Sequence, residues 1–177
     1  MKHGGVVLIN IRVAVLLTVI AGFLFSACGY RFAGGGDLPS SVKKISVSVL
    51  ENKTAESGIE NIITNDLIYE FTRNGKMVEK KDDADAHLTG TIESANDEAI
   101  SHRGDQMSLE RRVNVVLDLK LIGKDGKTIW IAKGIASDQA FRVLPDKIAT
   151  ENEKRNAIIA LSKRLAEKVY NRLTDNF

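Results

Sequence analysis

The stretch that decides the fold is Arg112-Val-Asn-Val-Val-Leu-Asp-Leu-Lys-Leu-Ile122. Every second position from Val113 to Leu121 is apolar, and most positions between them are polar. This period of two is typical of a strand with one buried face. Asp125-Gly126 follows between two lysines, and such a pair predicts a two-residue hairpin turn.

The return strand of this hairpin is predicted over Thr128–Ala136, with an extension through Phe141. Its consecutive apolar residues Ile129, Trp130 and Ile131 predict that one end of the strand is covered on both faces.

The chain upstream of the hairpin predicts three strands and one helix. Lys44–Leu50 and Ala86–Ser94 alternate apolar and polar residues, the latter with an extension toward Ile100, and Met77–Glu79 is a shorter strand. A helix over Ile59–Arg73 follows the capping-box pattern Ser57-x-x-Glu60.

A long amphipathic helix is predicted at the C-terminal end, over Glu151–Leu173, with the capping-box pattern Thr150-x-x-Glu153 at its start. Its apolar residues recur at helical spacing, and we expect its basic residues, Lys154 among them, to face outward. The apolar stripe is Ile158, Leu161, Leu165, Val169 and Leu173. The element order βαβββα predicts an α+β two-layer sandwich, a mostly antiparallel sheet of about four strands covered by two helices.

The N-terminal residues 1–27 are predicted to be a lipoprotein signal peptide. A basic head with Lys2 and Arg12 precedes an apolar run from Val13 to Phe25, small residues and the only cysteine, Cys28. The alternative is a retained membrane helix, but the run is shorter than the about 18 residues that a span requires. We therefore expect Cys28 to carry S-diacylglycerol and N-acyl lipid.

Residues 28–41 are predicted to form the lipidated N-terminus and a Gly-rich flexible tether, and residues 42–177 a single α+β periplasmic domain. Gly29 follows the cysteine in place of the Asp that usually retains lipoproteins in the inner membrane, so we expect the outer membrane. Without Lys2 and Arg12 the chain has 23 basic and 23 acidic residues. This balance argues against a nucleic-acid partner, which would need a basic excess.

The inventory of catalytic residues is thin, and we predict that the protein is not an enzyme. The cysteine is assigned to lipid, and His87 and His102 lie in no pattern typical of a zinc site. The acidic residues Asp82, Asp83 and Asp85 lack the Gly and Glu spacing of a calcium loop. No metal and no cofactor beyond the lipid on Cys28 is expected. The alternative is a lipid-anchored hydrolase whose residues meet only in the folded chain.

Three features together resemble the LptE family of lipopolysaccharide-assembly lipoproteins. These are Cys28-Gly-Tyr-Arg-Phe32, the βαβββα order, and the closing helix with Asn152-Glu-x-x-Arg155-x-Ala157-Ile158. The resemblance implies a non-enzymatic outer-membrane lipoprotein that plugs the β-barrel LptD, assists its assembly and helps deliver lipopolysaccharide to the outer leaflet. The alternative is a periplasmic adaptor or regulator of another envelope assembly machine.

The resemblance also implies a lipopolysaccharide-binding site of basic residues at one end of the sheet. Arg103 occupies a position where the family has a basic residue, and Arg111 and Arg112 lie just after it. A second basic position of the family falls at Thr150 here, and the nearest cation is Lys147. The alternative is that Arg103 is an exposed turn residue and Arg112 a charge at a strand edge.

Overall fold

The computed structural model describes Leu38 and residues 42–78, 81–103 and 107–175. The chain divides into two units, Met1–Ala33 and Gly34–Phe177, and every described residue belongs to the second. The predicted signal peptide and Cys28 therefore lie outside the described residues, as does most of the predicted tether. Leu38, within that predicted tether, is buried with the hydrophobic core.

The described elements form one mixed sheet and two helices, which confirms the predicted α+β class. Two strands replace the single predicted strand near Ile45, and the other strands extend to or beyond their predicted ends, apart from the short third strand. In order they are β1 (Lys44–Val47), β2 (Glu51–Asn52), α1 (Ile59–Arg73), β3 (Met77–Val78), a 3-10 turn (Lys81–Asp83), β4 (Ala86–Arg103), β5 (Met107–Gly123), β6 (Thr128–Arg142) and α2 (Lys147–Thr174).

The sheet order is β3-β1-β4-β5-β6, and β2 also pairs with β4. β1 runs parallel to β3 because α1 carries the chain back between them, the usual connection for parallel neighbours. β1 and β2 are also parallel to β4. The three long strands β4, β5 and β6 pair antiparallel, as predicted for the sequence around the hairpin.

The β5–β6 turn has three residues rather than the predicted two. The Gly123 N–H donates to the Lys127 carbonyl at 2.8 Å, and the Gly126 N–H donates to the Gly123 carbonyl at 2.9 Å. Gly126 has a φ of 80°, the left-handed conformation that closes a three-residue loop. The Asp125 side chain accepts the Lys127 N–H and so supports the turn.

Both predicted capping boxes are wrong. Gly58, with a φ of 83°, is the N-cap of α1, and no side chain caps this end. Asp146 is the N-cap of α2, where its carboxylate accepts the Ala149 N–H at 2.7 Å. The helix therefore begins at Lys147, four residues before its predicted start, and Thr150 instead bonds back to Leu144.

The core lies between the helices and one face of the sheet. The alternating residues Val113 to Leu121 are buried, as predicted, and so is the whole predicted stripe of α2. The end of β6 is not covered on both faces, because Trp130 is buried while Ile131 is 61% exposed. The opposite face of β4, β5 and β6 is therefore an open sheet face.

Candidate functional site

The predicted binding residues belong to the end of the sheet where β4 and β5 run beyond β6. The β5–β6 ladder ends at the pair Glu110–Arg142, whereas β4 and β5 stay paired as far as Arg103 and Met107. We call residues 97–103 and 107–113 the distal arm. Among the described strands, none pairs with the outer edges of this arm near its tip, and such edges are suited to contact a partner.

Arg103 is the last residue of β4, and its backbone pairs with Met107. His102 and Arg103 are therefore strand residues, so the alternative that Arg103 is a turn residue is wrong. Gly104–Gln106 and the side chain of Arg103 lie outside the described structure. The backbone register places Arg103 about 13 Å along the arm from Ala99, the residue opposite Arg111, at about 3.3 Å per residue.

Arg111 and Arg112 are on opposite faces of β5, because successive strand residues alternate. Arg111 shares the helix-covered face with Val113, and its Nε donates to the Asp97 carboxylate at 2.6 Å. Its Nη2 also donates to the Asp97 carbonyl at 3.1 Å. Arg112 is on the open sheet face, 3.3 Å from the Asp138 carboxylate. The structure does not bring these two arginines into one pocket.

Lys147 is exposed in the first turn of α2. The Thr150 hydroxyl exchanges hydrogen bonds with the backbone of Leu144. A cation that the sequence analysis missed, Arg142, ends β6 opposite Glu110 and is 71% exposed in its side chain. The register of the hairpin could have indicated it, because a longer β6 must end beside the distal arm.

The sequence analysis expected Lys154 to face outward, and this expectation is wrong. Its side chain is only 13% exposed, and its ammonium contacts the carboxylate of Glu56 and lies 3.6 Å from that of Asp97. Burial lowers the pKa of Lys154, but the hydrogen bond that its ammonium donates to Glu56 and the charges of Glu56 and Asp97 outweigh burial and raise the pKa above the ordinary value. Lys154 therefore stays protonated at neutral pH.

The open sheet face is a second candidate surface, and neither of the two described helices covers it. Most of its residues carry hydroxyls, amides or charges of both signs, and they surround the exposed Ile131 and the half-buried Val116 and Ile122. Its polar members include Thr89, Thr91, Ser94 and Asn96 on β4, Arg112, Asn114, Asp118 and Lys120 on β5, and Asp138 on β6. A surface of this composition suits a polar, hydrogen-bonding partner rather than an apolar one.

The described residues contain no group of three or more His, Cys, Asp or Glu side chains placed to hold a metal ion. None of the helices in the same ranges is long and apolar enough to cross a membrane.

Comparison with known families gave one match of the whole folded domain. A family model described as "LptE: Lipopolysaccharide-assembly" matches residues 42–173. A search of curated proteins found no match.

Several solved structures share the fold. A minor lipoprotein from Acinetobacter baumannii is 17% identical, with a TM-score of 0.56, over 78% of this chain and 95% of that one. Rare lipoprotein B from Shewanella oneidensis is 14% identical, with a TM-score of 0.51, over 75% and 95%. An uncharacterised lipoprotein B from Nitrosomonas europaea is 12% identical, with a TM-score of 0.52, over 80% and 92%.

Proposed function

Because the chain belongs to the LptE family, we propose that it plugs the lumen of an LptD-type outer-membrane β-barrel and assists the assembly of that barrel. In this role it helps deliver lipopolysaccharide to the outer leaflet, and the lipid on Cys28 holds it at the membrane. The family is one of non-enzymatic outer-membrane lipoproteins, and the proposed role requires no reaction.

The observation that carries this proposal is the family match over the whole folded domain, residues 42–173. The surface supports it, because the lumen of a large barrel is polar and a plug within it meets polar walls on all sides. The open sheet face is mostly polar, and so is the groove between α1 and α2, where Asp66, Arg73, Lys163 and Glu167 lie beside the exposed Tyr69.

We also propose that the distal arm contacts the phosphates of lipopolysaccharide. Arg112 and Arg142 lie at this end of the sheet, the backbone of Arg103 ends β4 there, and Lys147 follows Arg142 by five residues. Arginine can bind a phosphate through two parallel hydrogen bonds. The role of Arg111 is different, since Asp97 already takes two of its donors.

Co-purification tests the barrel proposal. The tagged full-length protein would be isolated from envelopes in mild detergent, and the co-purifying proteins would be identified and quantified by mass spectrometry. We expect one large β-barrel of LptD type in near-equimolar amount. Recovery of peptidoglycan synthases or an inner-membrane complex in its place would support the adaptor alternative.

Charge reversal at the arm tests the lipopolysaccharide proposal. We expect Arg103→Glu to weaken binding of purified lipopolysaccharide about tenfold or more, because it replaces a phosphate contact with repulsion. Binding would be measured by titration of the full-length protein in mild detergent, with a melting curve for each variant. Lys120→Glu, on the open sheet face, is the matched control and should leave affinity unchanged. Equal affinities for the two variants would refute the assignment of Arg103.

A further inference from the structure

We infer that Lys154 is a positioning residue for the distal arm: its ammonium joins the arm to α2 and to the β2–α1 loop, and so fixes the direction in which the arm presents its cations. This inference rests on the proposed role of the arm in lipopolysaccharide binding. It assigns to Lys154 no contact with the ligand itself.

Lys154 is the centre of a chain of four charged side chains from four parts of the fold. Glu56 precedes α1, Asp97 is on β4, Arg111 is on β5, and Lys154 is on α2. The order of contacts is Glu56 to Lys154, Lys154 to Asp97 and Asp97 to Arg111. Two basic groups thus alternate with two acidic groups, and each internal member has a partner on both sides.

These contacts are partly withdrawn from solvent, so they are stronger than surface pairs. The side chains of Glu56 and Asp97 are 28% and 26% exposed, and that of Lys154 is 13% exposed. Removal of Lys154 would leave both carboxylates without this cation in a half-buried place, which is more costly than loss of an exposed pair. The network is therefore able to hold the base of the arm in one position.

The arm depends on such support because its pairing is limited. Beyond Glu110 it is a two-stranded ribbon, and such ribbons are only marginally stable alone. The β4–β5 ladder is also irregular between Ala99 and His102, where bulges bend a strand and increase its twist. The direction of the tip is therefore sensitive to how the base at Asp97 is held.

Lys154→Met tests the inference, because methionine keeps the length and apolar stem of the side chain without the charge. Lys154→Arg keeps the charge, and Lys163→Met removes an exposed lysine of the same helix as a control. Each full-length variant would be compared by hydrogen exchange of residues 97–103, 107–113 and 52–58, by titration with purified lipopolysaccharide, and by thermal unfolding. Ile63→Val leaves a small cavity in the core and lowers global stability, so it controls for effects of stability alone.

We expect Lys154→Met to speed amide exchange in the arm about threefold to tenfold, as for loss of a partly buried ion pair, and to weaken lipopolysaccharide binding. Lys154→Arg should restore both, and Lys163→Met and Ile63→Val should leave both unchanged. Glu56→Gln, a milder change, should alter both in the direction of Lys154→Met.

Unchanged exchange in the arm of Lys154→Met and Glu56→Gln would overturn the inference. Faster exchange with unchanged affinity would overturn the positioning role, since the network would then be structural only. Failure of the unaltered protein to bind lipopolysaccharide would instead refute the proposed function of the arm. The binding titration detects this failure, and the hydrogen-exchange rates do not.

Discussion

Asp85 shows how one side chain holds the start of the sheet. Its carboxylate accepts the backbone N–H groups of Lys43 and Lys44 at 2.9 and 3.0 Å. Its own N–H donates to the Lys44 carbonyl, and its carbonyl accepts from Lys124. The hydrogen bonds from Lys43 and Lys44 hold the pKa of Asp85 below its ordinary value of 3.8.

This lowered pKa predicts a pH dependence with a definite sign. The folded state prefers ionised Asp85, so its contribution to stability is present above pH 3.8 and is lost as the pH falls through the lower, folded pKa. We expect Asp85→Asn to be less stable than the unaltered protein at neutral pH. In strong acid the free energies of unfolding of the two proteins should become similar. Denaturant unfolding at several pH values measures this, and an NMR titration of Asp85 at or above 3.8 would contradict it.

Removal of two buried hydroxyl groups should change the free energy of unfolding in opposite directions. The Ser162 hydroxyl is fully buried and has no hydrogen-bond partner among the described residues, so Ser162→Ala should raise the free energy of unfolding by about 1 kcal/mol. Thr64 is also buried, but its hydroxyl accepts the Leu50 N–H at 3.2 Å, and Thr64→Val should lower it by about 1–3 kcal/mol. Urea denaturation measures the free energy of unfolding of both variants. Equal changes in the two would contradict the finding that Thr64 has a hydrogen-bond partner and Ser162 has none among the described residues.

The sequence could predict residues whose neighbours are fixed by a repeating pattern, and it failed where distant segments meet. Val113 to Leu121 follow the strand period, so their burial was correctly predicted. Lys154 lies one helical turn before Ile158 and so continues the apolar stripe of α2, but its charge led to the prediction that it faces outward. Glu56 and Asp97, which contact Lys154, are 98 and 57 residues away from it in the sequence. No local sequence pattern predicts contacts between such distant residues.

At the scale of elements, the packing of α2 against the sheet gives a sharp comparison between two neighbouring residues. Leu161 is fully buried and Ile159 is 37% exposed. Leu161→Asp would place an unpaired charge in the core at a cost of several kcal/mol, comparable with the whole stability of a typical domain. We expect it to unfold the domain, whereas Ile159→Asp should keep a cooperative transition. Circular dichroism during thermal unfolding distinguishes them, and a native-like curve for Leu161→Asp would refute the predicted stripe.

The bounds of the elements were harder to predict than their existence. Each predicted helix and strand is present, because apolar periodicity specifies an element along most of its length. Helix starts depend on which of several nearby polar groups caps the first turn. Asp146 takes that role for α2 and leaves Thr150 to tie the first turn to Leu144, so the pattern at Thr150 was misleading.

At the scale of the whole molecule, the fold separates an open polar sheet face from a helical face across a single core. The first carries Lys120, and the second carries Lys163. The sequence predicted this two-layer arrangement, but it could not locate the candidate site. Arg111 and Arg112 are on opposite faces because successive residues of a strand alternate, and this could be predicted from the sequence. The position of Arg142 beside the arm depends on where β6 ends, and this could not.

The most direct test of the plug proposal uses both faces at once. A photo-activatable amino acid would replace Lys120 in one variant and Lys163 in another, and cross-links formed in intact cells would be identified by mass spectrometry. A domain inside a barrel lumen is surrounded by one wall, so both positions should cross-link to the same β-barrel protein. Cross-links to the barrel from only one face, or to other envelope proteins from both, would contradict the account.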